Sequence, residues 1–430
     1  MANSYGAGKL RLECLCMVGV CWGFMPVTAV ADPVQLVVGQ TFLTTNNATK
    51  VLEENRQDDL KRRSYLNANY EKNYGRCVGG FSGGIGYTVW SDDSFDSETD
   101  AQMDALGRCE LSESLSWTLT NNLREVTQDT SSSNTPDNRT RKNLFSTGPN
   151  YLLRLSSVDS VNFEARYENT EFSEPGESDS ERVIGTAGWG HLFSASLNGG
   201  LSVTASDTEY DTGATIDVRT TQVTFGKRWA SAALSGALGV SEIETEFGSM
   251  STTSRGGVGN LEFTREINGS ADWYLRGARE LTDRTSSFDI RFEEFEFNLS
   301  ESLSVETTSL ETGLNKIFSS GSSLNAAIFT NTSDYLDTDA EEQSAGIRIS
   351  ATKPVSELVT LSSKFGYRYS TFEQDDSDDE LLNFELGVDY RASRRFNVYV
   401  SVGYEEKGSD VVARRYEERW ALVGLEYRLR

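Results

Sequence analysis

Few residues in this sequence could perform chemistry, and the chain has a single histidine, His191. Hydrolases with a serine nucleophile generally need a histidine beside the serine. Residues 80–84 (GFSGG) match the G-x-S-x-G nucleophile motif, but that motif requires a strand that turns into a helix. Here the apolar alternation of a strand continues to Trp90, so close packing of neighbouring strands explains the glycines better. His191 is expected to be structural or interfacial, beside a short turn, and no enzymatic activity is predicted.

An acidic cluster near the C-terminal end offers oxygen ligands of the kind that Ca²⁺ and Mg²⁺ prefer. It contains Asp375, Asp376, Asp378 and Asp379. The run lacks the glycine and the ligand spacing of an EF-hand loop. A solvated loop is the favoured interpretation, and weak divalent bridging to lipopolysaccharide phosphates is the functional alternative. No Cys/His cluster has metal-ligand spacing, and no cofactor is predicted.

The charge balance limits the possible partners. Lys and Arg number 40 against 65 Asp and Glu, a net charge of −25, which argues against nucleic acid as a partner. Aromatic residues make up 10% of the chain, which argues against disorder. A mean hydropathy of −0.45 also suits a transmembrane β-barrel, where only every second strand residue meets lipid.

The first 31 residues have the pattern of a targeting segment. Lys9 and Arg11 precede an apolar stretch, and residues 29–31 (AVA) form an A-x-A cleavage site. We interpret residues 1–31 as a signal peptide and residues 32–430 as one domain. A membrane anchor is the alternative, but the apolar stretch is short for a span.

Two cysteines, Cys77 and Cys109, remain after the predicted cleavage. In an oxidising periplasm they could form one disulfide. The alternative is a pair of unbridged small residues on neighbouring strands.

Alternation of apolar and polar residues recurs along residues 34–430 and predicts antiparallel β-strands. It is clearest in the last hairpin, where Phe396, Val398, Val400, Val402 and Tyr404 alternate with smaller or more polar residues. Many runs span about ten residues, which a tilted membrane-crossing strand requires, whereas strands of a soluble sandwich are usually shorter. We therefore predict an all-β, antiparallel transmembrane β-barrel of the outer membrane with about 18 strands (16–20, even). A soluble sheet with a solvated face is the alternative.

Short basic turns alternate with longer acidic loops, as in outer-membrane barrels. Residues 281–302 have an irregular pattern and are predicted to form an outer loop with some strand of its own. The acidic loops would favour cations or neutral sugars over anions at the entrance.

Charged residues occupy the strand positions opposite the apolar ones. Mixed charges fit a wet, ion-paired lumen better than a dry core, where desolvation is costly. The predicted lumen-facing set includes Arg154, Arg166, Arg276, Lys364 and Arg368 with acidic neighbours, and also Asp217 and Arg219.

The C-terminal run, residues 424–430, resembles the signal that the barrel-assembly machinery recognises in a last strand. It departs from that signal because Leu429 replaces the usual terminal Phe and Arg430 follows it. The expected partners are therefore this machinery, outer-membrane lipid and lipopolysaccharide.

Several segments resemble one family: residues 117–122 (WTLTNN), 134–138 (NTPDN), 143–149 (NLFSTGP) and 279–283 (RELTD). The chain is similar to the outer-membrane β-barrels of exosortase/PEP-CTERM and exopolysaccharide systems, which are related to β-barrel porins. This resemblance implies a barrel and a link to exported polysaccharide, and it supplies no catalytic residues.

Two functions from different classes follow as hypotheses. The first is a channel or accessory barrel for exopolysaccharide export. The second is a structural or surface-interaction barrel without transport activity. Lumen width and any inward-folded loop distinguish them.

Loop and turn charges predict the orientation in the membrane. An epitope inserted at Asp378 should be reached by antibody on intact cells, because acidic loops face outward. An epitope at Ser393, in the basic turn, should be reached only after the outer membrane is permeabilised. Opposite labelling would overturn the orientation.

Overall fold

The computed structural model describes residues 34–292, 294–338 and 340–429, and these residues form one antiparallel sheet of 20 strands. The strands are β1 Gln35–Thr45, β2 Asp59–Asn73, β3 Cys77–Trp90, β4 Glu98–Glu110, β5 Leu115–Thr127, β6 Arg139–Arg154, β7 Asp159–Phe172, β8 Ser180–Ser194, β9 Leu197–Tyr210, β10 Thr215–Arg228, β11 Ala232–Phe247, β12 Met250–Asn268, β13 Ala271–Asp283, β14 Ser304–Ile317, β15 Ser323–Tyr335, β16 Ala340–Pro354, β17 Val359–Phe372, β18 Ser377–Arg391, β19 Phe396–Ser409 and β20 Tyr416–Arg428. One short helix, α1, covers Phe288–Arg291. The predicted signal peptide, residues 1–31, lies outside the described residues.

The sheet closes into a barrel because its first and last strands pair. Each strand pairs with its neighbour in sequence, and β20 pairs with β1 from Thr45↔Trp420 to Val37↔Arg428. Gly39 of β1 lets the ring of Tyr65 on β2 lie against the β1 backbone, because a side chain at Gly39 would clash with that ring. The fold is an antiparallel β-barrel of the outer-membrane type, as the alternation predicts.

The barrel has 20 strands where the sequence predicts about 18, within the predicted range of 16 to 20. The strand that the apolar pattern marks least is β4. By its register with β3, the face of β4 that points away from the lumen carries Ala101, Met103, Ala105 and Gly107. Three of these residues are small and only Met103 is a large apolar residue, which explains why β4 is hard to recognise.

The outer face of the barrel is apolar between two groups of aromatic residues. One group lies near the short turns and includes the exposed side chains of Trp117, Trp189, Trp229, Tyr390 and Tyr427. The other lies higher on the strands and includes Tyr87 and Tyr369. From Val359 at the start of β17 to Tyr369, the chain rises about 33 Å at roughly 3.3 Å per residue. At a tilt of about 40° this gives about 25 Å, the height of an outer-membrane apolar band.

The two rims differ in their connections. One rim carries short turns such as residues 195–196 and 392–395. The start of β1 and the end of β20 also lie at this rim. The other carries longer connections, including residues 46–58, 128–138 and 284–303. We call these the turn rim and the loop rim. Within the described residues, no helix is both long enough and apolar enough to cross a bilayer.

Removing Glu426–Arg430 should block assembly, because it deletes the pairing of β1 with Glu426, Tyr427 and Arg428 and leaves unpaired backbone groups facing lipid, each costing several kcal/mol, roughly. The measurement is the heat-modifiable outer-membrane band on a gel. Deleting Arg430 alone is the control and should leave the band intact. A heat-modifiable band from the longer truncation would contradict this account of closure.

Candidate constriction site in the barrel lumen

The connection from β13 to β14, residues 284–303, folds into the lumen. We call it the constriction loop. It contains α1 and binds inward-facing side chains of β6 and β8, and also of β16 and β17. Since β6 and β16 are ten positions apart in a closed ring of 20 strands, the loop spans the lumen. The expectation of an outer loop with its own strand is therefore wrong.

Lys142 of β6 holds the first part of the constriction loop. Its ammonium group donates to the carbonyl oxygens of Arg284 (3.1 Å) and Ser286 (2.6 Å) and lies 3.1 Å from the Asp289 carboxylate. The side chain of Lys142 is only 3% exposed. A buried ammonium needs this complete set of acceptors, because an unpaired buried charge is strongly unfavourable.

Arg182 of β8 forms a second attachment. Its guanidinium pairs with Asp283 at the end of β13 and with Glu168 of β7 at 3.4 Å. It also donates to Thr285 Oγ1 at 3.0 Å. Ser180 donates to the same hydroxyl oxygen at 2.9 Å. This buried network fixes the point where the chain leaves the wall.

Arg348 and Arg368 form a third attachment on the opposite wall. Both pair with Glu294 of the constriction loop, Arg368 at 3.1 Å. Arg368 also lies 3.4 Å from Glu296, and Arg348 lies 3.1 Å from Glu311 of β14. Positive and negative charges thus alternate around the constriction, and neither sign is left in large excess.

Aromatic side chains of the constriction loop form a core inside the lumen. Phe288, Phe295, Phe297 and Leu299 are at most 3% exposed. The ring centroids of Phe288 and Phe295 are 4.7 Å apart, and those of Phe295 and Phe297 are 4.9 Å apart. Each buried phenylalanine contributes roughly 1.5–3 kcal/mol. An outer loop would expose these rings to water, which explains physically why the chain turns inward. The wall residues around this core are Val126, Phe172, Ala278, Val305 and Tyr335.

A second loop, residues 128–138 between β5 and β6, also reaches across the loop rim. Thr130 donates to Glu342 of β16 at 2.8 Å, and Lys407 of β19 donates to the carbonyl oxygen of Ser131 at 2.7 Å. The two loops meet where the Leu299 amide donates to the Gln128 carbonyl oxygen at 2.9 Å. The loop side of the lumen is therefore lined by chain from opposite walls.

Two carboxylates at the loop rim, Glu177 of the β7–β8 connection and Asp129 of residues 128–138, respond differently to burial. Burial raises the pKa of Glu177, and Arg284 at 3.7 Å only partly opposes that shift. Burial would also raise the pKa of Asp129, but hydrogen bonds from Ser132 and Ser131 lower it below its usual value. Hydrogen bonds to a carboxylate favour its charged form, so the bonds from Ser131 and Ser132 outweigh the effect of burial at Asp129.

The five predicted lumen-facing cations lie on inward positions of their strands. Arg166 is 3.2 Å from Glu168, Arg276 is 3.6 Å from Glu262, and Lys364 is 3.2 Å from Glu385. Arg368 extends to the constriction loop, where it pairs with Glu294. Arg154 is exposed at the last residue of β6, on the turn rim.

Two other charged residues do not face the lumen. Asp217 and Arg219 share the outward side of β10 with the exposed Val223, whereas the buried Ile216 marks the inward side. The prediction that they line the lumen is wrong. The cause is that β10 continues beyond the apolar band toward the loop rim, where an outward position can be charged.

The cysteines lie directly opposite each other on β3 and β4. The structure joins Cys77 and Cys109 in a disulfide, with Cα atoms 4.0 Å apart. This bridge links the two strands near the turn rim.

His191 lies on the outward face near the turn rim, with Trp189 and Phe193. Its Nδ1 is 2.8 Å from Asp159, and Ser156 Oγ donates to the same carboxylate at 2.9 Å. The serine bonds to the acid instead of the imidazole, which differs from a hydrolase triad. The G-x-S-x-G match lies inside β3.

The acidic cluster does not converge on one point. Asp375 pairs with Arg414, and Asp379 lies 2.8 Å from Lys407. Asp376 adopts a positive φ of 50° in the tight connection, and Asp378 is the second residue of β18, paired with Thr371 of β17. Among the described residues, no three His, Cys, Asp or Glu side chains are arranged to hold a metal ion.

Sequence reasoning missed Lys142, Arg182 and Arg348 as lumen contacts. Asp289 lies 147 residues from Lys142, Asp283 lies 101 residues from Arg182, and Glu294 lies 54 residues from Arg348. Sequence spacing therefore gives no sign of these contacts. The available signal was the cluster of four phenylalanines in residues 288–297, which a solvated loop would not favour.

Comparisons with known proteins agree with a porin-like barrel. Residues 322–429, which contain β15 to β20, match the family model described as "Putative beta-barrel porin 2". No curated protein matches the chain.

Solved structures of similar shape include outer-membrane receptors. The siderophore receptor PiuA from Acinetobacter baumannii has a TM-score of 0.46 and 10% identity, covering 93% of this chain and 82% of its own. The ferric-catecholate import receptor Fiu from E. coli has a TM-score of 0.47 and 8% identity, with coverage of 93% and 82%. The ferric citrate transporter FecA has a TM-score of 0.47 and 10% identity, with coverage of 93% and 79%.

Replacing Lys142 by Met should loosen the constriction loop, because Asp289 would remain buried without its cation. Removing one partner of a buried pair costs about 3–5 kcal/mol. The expected result is faster trypsin cleavage at Arg291 in the folded barrel and a lower unfolding temperature.

Lys364→Met is the matched control, because Lys364 also pairs with a carboxylate, that of Glu385, but is 65% exposed. Exposed pairs contribute at most about 1 kcal/mol. Equal effects of the two substitutions would argue against the anchoring role of Lys142.

Proposed function

We propose that this protein is a water-filled outer-membrane channel that serves the export of a polysaccharide. The main support for a channel function is the exposure of inward-facing charged side chains. Arg276 and Glu262 are 52% and 55% exposed although they point into the barrel. Such exposure inside a closed sheet requires space that water can fill.

The pairing of charges supports a path for large polar solutes. Carboxylates match the cations both in the middle of the lumen and at the constriction, as in the Arg63–Asp100 pair. A lumen of mixed charge leaves many hydrogen-bonding groups exposed without a single dominant sign. Sugars, which are polar and mostly uncharged per ring, suit such a surface. The link to exopolysaccharide export depends on the family resemblance of residues 117–122, 134–138, 143–149 and 279–283.

A second function is favoured by one specific observation. The buried aromatic core of the constriction loop occupies the loop side of the lumen, and three ionic attachments hold it. A barrel closed in this way could act as a structural or surface-interaction protein, with its acidic loops as the interaction surface. Its partners would be lipopolysaccharide and other surface molecules.

Conductance in planar bilayers tests the channel. Wild-type protein should form ion-conducting pores. Replacing residues 287–299 by a short Gly-Ser linker should raise the conductance several-fold, because it removes the aromatic core from the path. Shortening residues 91–97, a connection on the loop rim, is the control and should change the conductance little.

Inserted wild-type protein without conductance would remove the channel and favour the structural barrel. The export role has a separate test, since a deletion strain should secrete less exopolysaccharide. If pores form but secretion is unchanged, the protein is a general porin instead.

A further inference from the structure

A concave site at the turn-side mouth of the lumen is rich in arginine. It has a volume of about 550 Å³ and lies between the β18–β19 turn and the paired ends of β1 and β20. Arg391 and Arg428 occupy inward positions of β18 and β20, and Arg394 and Arg395 belong to the turn. All four residues are exposed. Four arginines in one concavity contrast with the net charge of −25 of the whole chain.

The two carboxylates of this concavity are bound to other groups. Glu426 accepts a hydrogen bond from Tyr65 Oη at 2.7 Å, and Asp389 accepts one from Asn397 Nδ2 at 2.7 Å. Among the described residues, none of the four guanidinium groups has a carboxylate within 4.0 Å. Four arginines against two carboxylates leave the lining with a net charge of about +2, whereas the arginines of the constriction are all paired.

We infer that this mouth binds the carboxylate groups of an acidic saccharide that enters the lumen from the turn side. The planar guanidinium fork matches a carboxylate through two parallel hydrogen bonds. The site is concave and opens toward the lumen, so a bound chain end would already point along the barrel axis. This inference specifies the substrate class of the proposed channel and rests on that function for its role in transport.

The charge distribution along the lumen gives the binding a direction. A carboxylate meets unpaired arginines at the turn side, paired charges at the constriction, and acidic residues at the loop rim, such as residues 373–380 in the β17–β18 connection and the start of β18. Attraction therefore decreases along the path, which favours capture at the turn side and release at the loop side. The acidic loops alone predict a preference for cations or neutral sugars, so the turn-side arginines alter that expectation for this entrance.

The test uses full-length protein in planar bilayers and tetragalacturonate as the probe, added to each side in turn. Maltotetraose is the neutral probe, and inorganic phosphate is the simple anion. Tetragalacturonate should interrupt the current from one side only, and maltotetraose should not. In R391Q/R394Q the blocking frequency should fall about five- to tenfold, as expected for two lost exposed ionic contacts. These substitutions leave β20 and its assembly signal unchanged.

The matched control is K72Q/K353Q, which removes the same charge from outward positions at the turn rim. Tetragalacturonate should block the current through this variant as often as it blocks the current through the wild type. Equal block from both sides, or unchanged block in R391Q/R394Q, would overturn the inference while leaving the channel intact. Block by phosphate at the same charge concentration would also overturn it, because the site would then be a general oxyanion site. If the protein does not conduct, the proposed channel fails separately, and equilibrium dialysis of labelled tetragalacturonate with the same variants decides the site.

Discussion

The pairing of β1 with β20 is the contact on which the rest of the structure depends. Within hydrocarbon, each unpaired backbone N–H or C=O group costs several kcal/mol, so a sheet can cross the membrane only if it has no free edge. Closure through Thr45↔Trp420 and its neighbours satisfies both edge strands at once. It also fixes which side of each strand faces lipid, because the register of one pair sets the register of all.

A ring of 20 strands creates a second constraint. Small barrels are filled by their own wall side chains, but wider ones leave a lumen. Here the chain occupies part of that space with the constriction loop and with residues 128–138. Two terms oppose each other in this arrangement: burying three phenylalanines is favourable by roughly 5–9 kcal/mol in sum, and burying charges such as Lys142 is costly. The carbonyl and carboxylate oxygens around Lys142 offset that cost, so the aromatic burial prevails.

The strands and their inward side could be predicted wherever the outward residues are large. Val398, Val400 and Val402 mark β19, whereas Ala101 and Ala105 leave β4 without a clear signal. Arg219 was misassigned because its charge was taken as the sign of an inward position, although it has the same parity as the outward Val223 and lies beyond the apolar band. The fold of the constriction loop could not be predicted from local pattern. Its contacts join residues distant in sequence, and only the closed ring brings Lys142 near Asp289.

The three attachments of the constriction loop restrict how a solute could pass. Lys142 and Arg182 hold its first half, Glu294 is held by two arginines from the opposite wall, and the aromatic core lies between. Displacing the whole loop would require breaking the buried Lys142–Asp289 pair and the partly exposed pairs of Glu294 with Arg348 and Arg368. In the proposed channel, these attachments favour passage of a solute beside the loop, so the width beside the loop, more than its movement, would determine the size of the solute admitted.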